Sequence, residues 1–174
     1  MPRMRVDLEE LNKLRTRLHG ISQHSDGCCK YSLYDAAALA CDAIREGLDG
    51  LHVVSDAAAI QAWKHGTPTY ICYTQRMCLY YALGITSMKK RSGVWSVAVG
   101  FTNKDPVRGY NTIQTKRWPK GQPQIIIAAQ CEHGDSTVML KQPFIRPAYE
   151  RNKPEMQRLM KEAAQRWIEK KLSE

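Results

Sequence analysis

Ala128-Ala129-Gln130-Cys131-Glu132-His133-Gly134-Asp135-Ser136-Thr137, followed by Lys141-Gln142-Pro143-Phe144-Ile145-Arg146-Pro147-Ala148, is the stretch on which the fold turns. The first part reads as a strand running into a glycine turn. The second reads as a corner bracketed by prolines. Pro143 and Pro147 each lock φ and push the preceding residue away from helix. The backbone between them is therefore expected to be stiff and extended, with Phe144 and Ile145 on opposite sides. Arg146, held on an ordered backbone, is placed to tie the corner down through a local salt bridge.

Working outward toward the C-terminus, Asn152 and Glu155 have the spacing of a capping box, with Pro154 in the first turn. Met156, Leu159, Met160, Ala163, Ala164, Trp167 and Ile168 then recur on a 3.6-residue period. Arg158, Lys161, Glu162, Arg166, Glu169 and Lys170 fall largely off that stripe. The pattern predicts an amphipathic helix packed on the protein's own sheet, with a partner-binding stripe as the alternative.

Working backward, Ile125-Ile126-Ile127 within 124–130 predicts a central strand. Pro119-Lys120-Gly121-Gln122-Pro123 reads as a loop, 110–118 as a polar strand or extended arm, and 103–109 as turn chemistry. From Gly93 the apolar period is two: Trp95, Val97, Val99 and Phe101 alternate with Ser96, Ala98 and Gly100, as in a half-buried strand.

The first half reads as helical. Asp7 with Glu10 makes a capping box, and Leu8, Leu11, Leu14, Leu18 and Ile21 form a stripe to about residue 22. Ser25-Asp26-Gly27 predicts a loop. An alanine-rich helix follows over 32–46, its small side chains suited to close packing and its end set by Gly47 and Gly50. Ser55 or Asp56 caps a third helix ending near Gly66. The run 69–83 tolerates a strand at its start and favours a helix in its second half, stopped by Gly84.

Composition fits one domain over 1–174, helical over about 7–85, with strands and the last helix over about 93–172. The chain has 174 residues, enough to bury a core without cross-links. No apolar run approaches the roughly 20 residues needed to cross a bilayer. The N-terminus has no hydrophobic segment after its charges, so a reducing cytosol is expected. None of the six cysteines form a Cys-x-x-Cys pair, and free, mostly buried thiols are expected rather than a zinc site or disulfides. His24 with Cys28 and Cys29, or Cys131 with His133, have the chemistry to hold a metal in principle, but no metal or cofactor is expected.

Net charge is +9. Lys89, Lys90 and Arg91 form one basic cluster, and Lys116, Arg117 and Lys120 surround Trp118 in another. Such patches suit nucleic-acid phosphates or an acidic protein surface, and equally form solvated loops. Catalytic patterns are weak. No Walker loop or dinucleotide fingerprint occurs. His65-Gly66-Thr67 is a single His-x-Thr copy, and Glu132 beside His133 is the pair that most resembles an acid–base couple. No enzyme is expected.

The stretch quoted first resembles the C-terminal pattern of a phage protein family, the minor tail, neck and tail-completion proteins of long-tailed phages. That pattern is a Glu-aromatic-Gly-Thr turn, then Pro-Phe-Leu-Arg-Pro-Ala and a charged amphipathic helix. Here Glu132-His133-Gly134-Asp135-Ser136 occupies the turn and Gln142 to Ala148 the second part. Val6-Asp7-Leu8-Glu9-Glu10-Leu11 resembles the family's opening into a long helix. The family's Pro-Val-Asp-Thr-Gly stretch has no copy, which implies an enlarged helical region in the first half.

The resemblance implies an α+β fold: a small antiparallel or mixed sheet flanked by a long N-terminal helical region and a C-terminal helix. It implies a structural virion protein at the head–tail junction, made in the host cytoplasm and assembling as a ring, expected to be a hexamer. Its partners would be portal-side adaptor or stopper proteins and tail-terminator or tail-tube proteins, with non-specific contact to DNA. Glu132, His133, Gly134, Pro143, Phe144, Arg146 and Pro147 would be its structural or interface motif. The alternative reading of the residues is a small basic nucleic-acid-binding module, and a third is a small hydrolase dependent on His65 or His133.

Overall fold

The computed structural model describes residues 8–101, 113–114 and 116–173. The capping box begun by Asp7, the turn at 103–109 and residues 110–112 and 115 of the arm over 110–118 lie outside them.

The first helix, α1 (Leu8–Asp49), is one continuous element of 42 residues, about 63 Å long at 1.5 Å per residue. It overrides the expected loop at Ser25-Asp26-Gly27 and runs through Gly47 to Asp49. The reason is tertiary. The last helix, α5 (Ile145–Ser173), lies antiparallel along it. A Cβ on Gly27 would lie 3.7 Å from Trp167 Nε1, and Cys28 Sγ reaches the Ala164 carbonyl at 4.0 Å. At the other end a Cβ on Gly47 would lie 3.0 Å from the Phe144 carbonyl oxygen. Gly47 therefore serves a close approach between segments and does not end the helix. The small residues Ala36, Ala37, Cys41 and Ala43 are buried on α1, as close packing requires.

Between these helices the chain makes a small mixed head. β1 (Val53–Val54) pairs parallel with β2 (Ile71–Cys72), joined by α2 (Asp56–Lys64). Of the two candidate caps, Ser55 or Asp56, it is Ser55 that caps α2, its Oγ accepting the Ala58 N–H at 3.2 Å. α3 (Tyr73–Ala82) follows β2 directly and runs straight into β3 (Leu83–Ile85), so Gly84 lies in a strand.

β3 begins a long bent hairpin. β3 pairs antiparallel with β6 (Val99–Phe101), and β4 (Lys89–Arg91) pairs with β5 (Val94–Ser96). Three residues, 86–88, stand opposite two, 97–98, so the register slips by one at the bend, the unequal count of a bulge. The Thr86 N–H to Ala98 carbonyl bond, 2.8 Å, holds it. The expected period of two survives this break: Trp95, Val97, Val99 and Phe101 are half-buried, while Ser96 and Ala98 are exposed. The α+β expectation holds, with the strands distributed over three two-stranded sheets.

α4 (Gln124–His133) replaces the expected central strand. Its buried residues are Gln124, Ile127, Ala128, Cys131 and Glu132, a spacing of three, one, three and one that belongs to a helix. Ile125 is 50% exposed, so the three isoleucines do not form one buried run. Ala128, Ala129 and Gln130 outweigh their β-branched neighbours. The core lies at this head. Cys41, Ile44 and Leu48 of α1 meet Ile71, Leu79, Leu83, Ile127, Cys131, Met139, Phe144 and Ala148. Burying each Leu, Ile or Phe there contributes about 1.5–3 kcal/mol.

α5 corrects two further expectations. It begins at Ile145 and not near Asn152, so Pro147 sits in its first turn and Pro154 is internal. Its apolar stripe packs on α1, not on a sheet. Met156 is buried, Leu159, Met160, Ala163, Ala164 and Trp167 are half-buried, and Ile168 is exposed. Asn152 is not a cap; its side-chain amide donates to the Ala148 carbonyl at 2.9 Å.

Candidate functional site

The residues singled out by the opening stretch converge on the first turn of α5. A helix begins with four backbone N–H groups that have no partner within it. Here Glu132, at the end of α4, supplies the acceptors. Its Oε2 accepts from the Phe144 and Ile145 N–H groups, both at 2.9 Å, and its Oε1 from Arg146 N–H at 3.0 Å. The next residue, Pro147, has no N–H to satisfy. One carboxylate and one proline thus account for the whole helix start. The negative charge also sits at the positive end of the helix dipole.

The surroundings explain why Glu132 is a carboxylate. It is 8% exposed. Burial alone pushes its pKa up, and the N–H groups of Ile145, Arg146 and Phe144 outweigh that and hold it below the usual glutamate range. The charged form is the one that fits.

Gly134 closes α4 with φ of +82°, and a Cβ there would lie 3.1 Å from Lys141 Cβ, so the glycine turn is required twice over. Asp135 then organises the turn. Its Oδ1 accepts from the Thr137 N–H at 2.9 Å and hydroxyl at 2.8 Å, and its Oδ2 from Gln130 Nε2 at 3.1 Å. These bonds, Thr137 N–H foremost, hold its carboxyl below the usual aspartate range. Gln142 fastens the corner to the loop after α1: its Oε1 accepts the His52 N–H at 2.8 Å, and its Nε2 donates to the His52 carbonyl at 3.1 Å. Phe144, 2% exposed, packs edge-on against Phe101 with ring centroids 6.1 Å apart.

The structure thus brings together Glu132, Gly134, Pro143, Phe144, Pro147 and the backbone of Arg146. The Arg146 side chain is exposed and makes no ion pair among the described residues, so the expected salt bridge gives way to a backbone bond. His133 is exposed at the end of α4, and His65 is exposed at the end of α2. All six cysteines are free, with Cys41, Cys72 and Cys131 buried. Burial pushes the Cys72 and Cys131 thiols up to about 12, which makes both inert at neutral pH. Among the described residues no group of three His, Cys, Asp or Glu side chains is placed to hold a metal.

The two basic clusters are separate features. Lys89, Lys90 and Arg91 form β4 on the hairpin. Lys116, Arg117 and Lys120 lie on the loop leading into α4, with Arg117 stacked 5.5 Å from the Trp118 ring centroid. Asp26, Lys30 and Trp95 also belong to the hairpin cluster. Lys90 Nζ and Trp95 Nε1 both donate to Asp26 at 2.8 Å, and Lys30 lies 4.8 Å from the Trp95 ring centroid. Nothing local links residue 26 to residue 95, so reading along the chain puts Asp26 in a loop and does not reveal this pairing. No family model, no curated protein and no solved structure matches this chain.

Proposed function

We propose that this protein is a structural component of a tailed-phage virion, a neck or tail-completion protein that joins capsid connector to tail as a ring. The observation that carries the reading is the use to which Glu132 is put. The residues that resemble the family's motif are occupied in building a corner: both Glu132 oxygens accept backbone N–H groups of the α5 start. A carboxylate so engaged is committed to the fold and is not free to serve its neighbour His133 in an acid–base couple. A stiffly held corner suits a protein whose work is to present fixed surfaces to neighbours.

Support comes also from the exposed aromatic residues. Tyr73, Tyr81 and Tyr31 are 55%, 65% and 72% exposed, and Arg45 and Arg76 stack near Tyr80 and Tyr73. Tyrosine and arginine are the residues that subunit contacts favour. Assembly would proceed by surface complementarity between copies and toward head and tail components. The test is electron microscopy of particles made without this protein. Filled heads beside unattached tails are the expected result; normally joined virions would refute the reading.

A further inference from the structure

We propose that the end of the α1–α5 pair remote from the core binds the phosphate backbone of nucleic acid, with the β4–β5 hairpin at its centre. Three stretches meet there. Residues 158–173 lie along α1 where Gly27 faces Trp167 and Cys28 reaches Ala164. Residues 86–97 are fastened to α1 through Asp26. Together, 8–30, 86–97 and 158–173 hold twelve Lys and Arg against five Asp and Glu, which is +7 of the chain's +9. Most of the net charge therefore belongs to the stretches that meet at this end, and the second basic cluster, Lys116, Arg117 and Lys120, lies on the loop before α4.

The hairpin presents part of this charge on a rigid support. Its two-residue turn has φ of +49° at Ser92 and +80° at Gly93, the left-handed pair that matches the twist of flanking strands. Lys90 stands opposite Trp95, and both turn toward α1, where they share the Asp26 carboxylate. Asp26 is held below the usual aspartate range, first by Lys90 and then by Trp95. The acidic group beside the hairpin is thus already neutralised. Strand alternation puts Lys89 and Arg91 on the opposite face. Both are exposed and form no ion pair among the described residues.

The distribution favours a long, repeating anion over a single acidic site. Lys13, Arg15, Arg17 and Lys30 are exposed along α1 over about 26 Å of helix. Lys89, Arg91, Arg166 and Lys170 add exposed cations on two further elements. Phosphates spaced along a strand can engage such a scatter through charge alone, with no base-reading element required. This proposal does not rest on the head–tail reading, since the charge distribution stands whichever assembly the protein belongs to.

The test is fluorescence anisotropy of the full chain with a labelled mixed-sequence DNA duplex, across salt from about 50 to 200 mM. Binding is expected, with log affinity falling linearly with log salt. Lys89→Gln combined with Arg91→Gln should weaken binding several-fold and lower the salt slope by about 2, roughly one for each phosphate no longer neutralised. Arg17→Gln, outside the hairpin, should act in the same direction. Lys116→Gln with Lys120→Gln, on the loop before α4, should change little. The proposal is overturned if the wild-type chain shows no salt-dependent binding, if the hairpin variant binds as the wild type does, or if the α4-loop variant weakens binding as much. It is also overturned if polyglutamate competes as well as DNA, which would assign the surface to an acidic protein.

Discussion

The N-termini of α5 and α3 are both capped by a carboxylate from another helix, and they are built differently. At α5 one buried side chain, Glu132, takes three N–H groups, and Pro147 removes the need for a fourth. At α3 the work is divided. Asp56, at the start of α2, accepts the Thr74 N–H at 3.1 Å and also the Thr74 hydroxyl, while Gln75 Oε1 accepts the Cys72 N–H at 3.2 Å. Asp56 is only half-buried. Burial raises its pKa, and the bonds from Thr74 outweigh that and lower it. A third helix, α4, starts with no side-chain cap among the described residues; Pro123 stands at its N-cap. A cap concentrated in one residue fails all at once, whereas a divided cap fails by parts.

The largest effect should come from Glu132→Ala. It strands one buried and two part-buried N–H groups, where a buried one costs about 1–3 kcal/mol when unsatisfied, so a loss of about 2–4 kcal/mol is expected in urea unfolding. If this variant costs no more than Asp56→Ala, the contrast between the two caps collapses.

Glu132→Gln sharpens the same point through pH. Because the folded pKa is depressed, the carboxylate contributes stability that is full above the unfolded value, about 4.3, and is lost as pH falls through the folded value. The gap between wild type and Glu132→Gln should therefore be widest near neutrality and close in acid. A gap independent of pH would show that charge is not what holds the corner.

Asp56→Ala should cost about 1 kcal/mol, in the usual range for loss of a single cap, because Gln75 remains. The effect of Gln124→Leu should be small and opposite in sign. Gln124 opens α4, is fully buried, and neither of its amide atoms finds a partner among the described residues. Removing an unpaired buried amide should stabilise by about 1 kcal/mol, measured as a raised unfolding midpoint. Destabilisation there would mean that the amide has a role at the α4 start after all.

The α5 corner shows how far sequence reading reaches. The motif residues are legible because prolines, a glycine and a lone Glu at that spacing are unusual together. Their mechanism is not. Asn152-x-x-Glu155 carries a valid local cap signature, yet the helix begins eight residues before the start it would set, because Glu132, distant along the backbone, supplies a better one. Arg146 draws notice for its guanidinium, and it contributes its N–H. In the hairpin, Lys89, Lys90 and Arg91 are visible as a cluster, while their anchor on Asp26 is not, since the bond joins residues far apart in the chain.

The amino-acid order alone determined what local spacing controls: the apolar stripe of the last helix, a cap at Ser55 or Asp56, the turn at Gly134, the alternation from Trp95 to Phe101 and the excess of positive charge. Only the tertiary structure decided that Ser25-Asp26-Gly27 lies within a helix, that 124–133 is helix rather than strand, and where α5 begins. The physical reason is common to the first and the last. Local preferences differ by about 1 kcal/mol or less per residue, and a packed partner or a carboxylate delivered from elsewhere in the fold outweighs them.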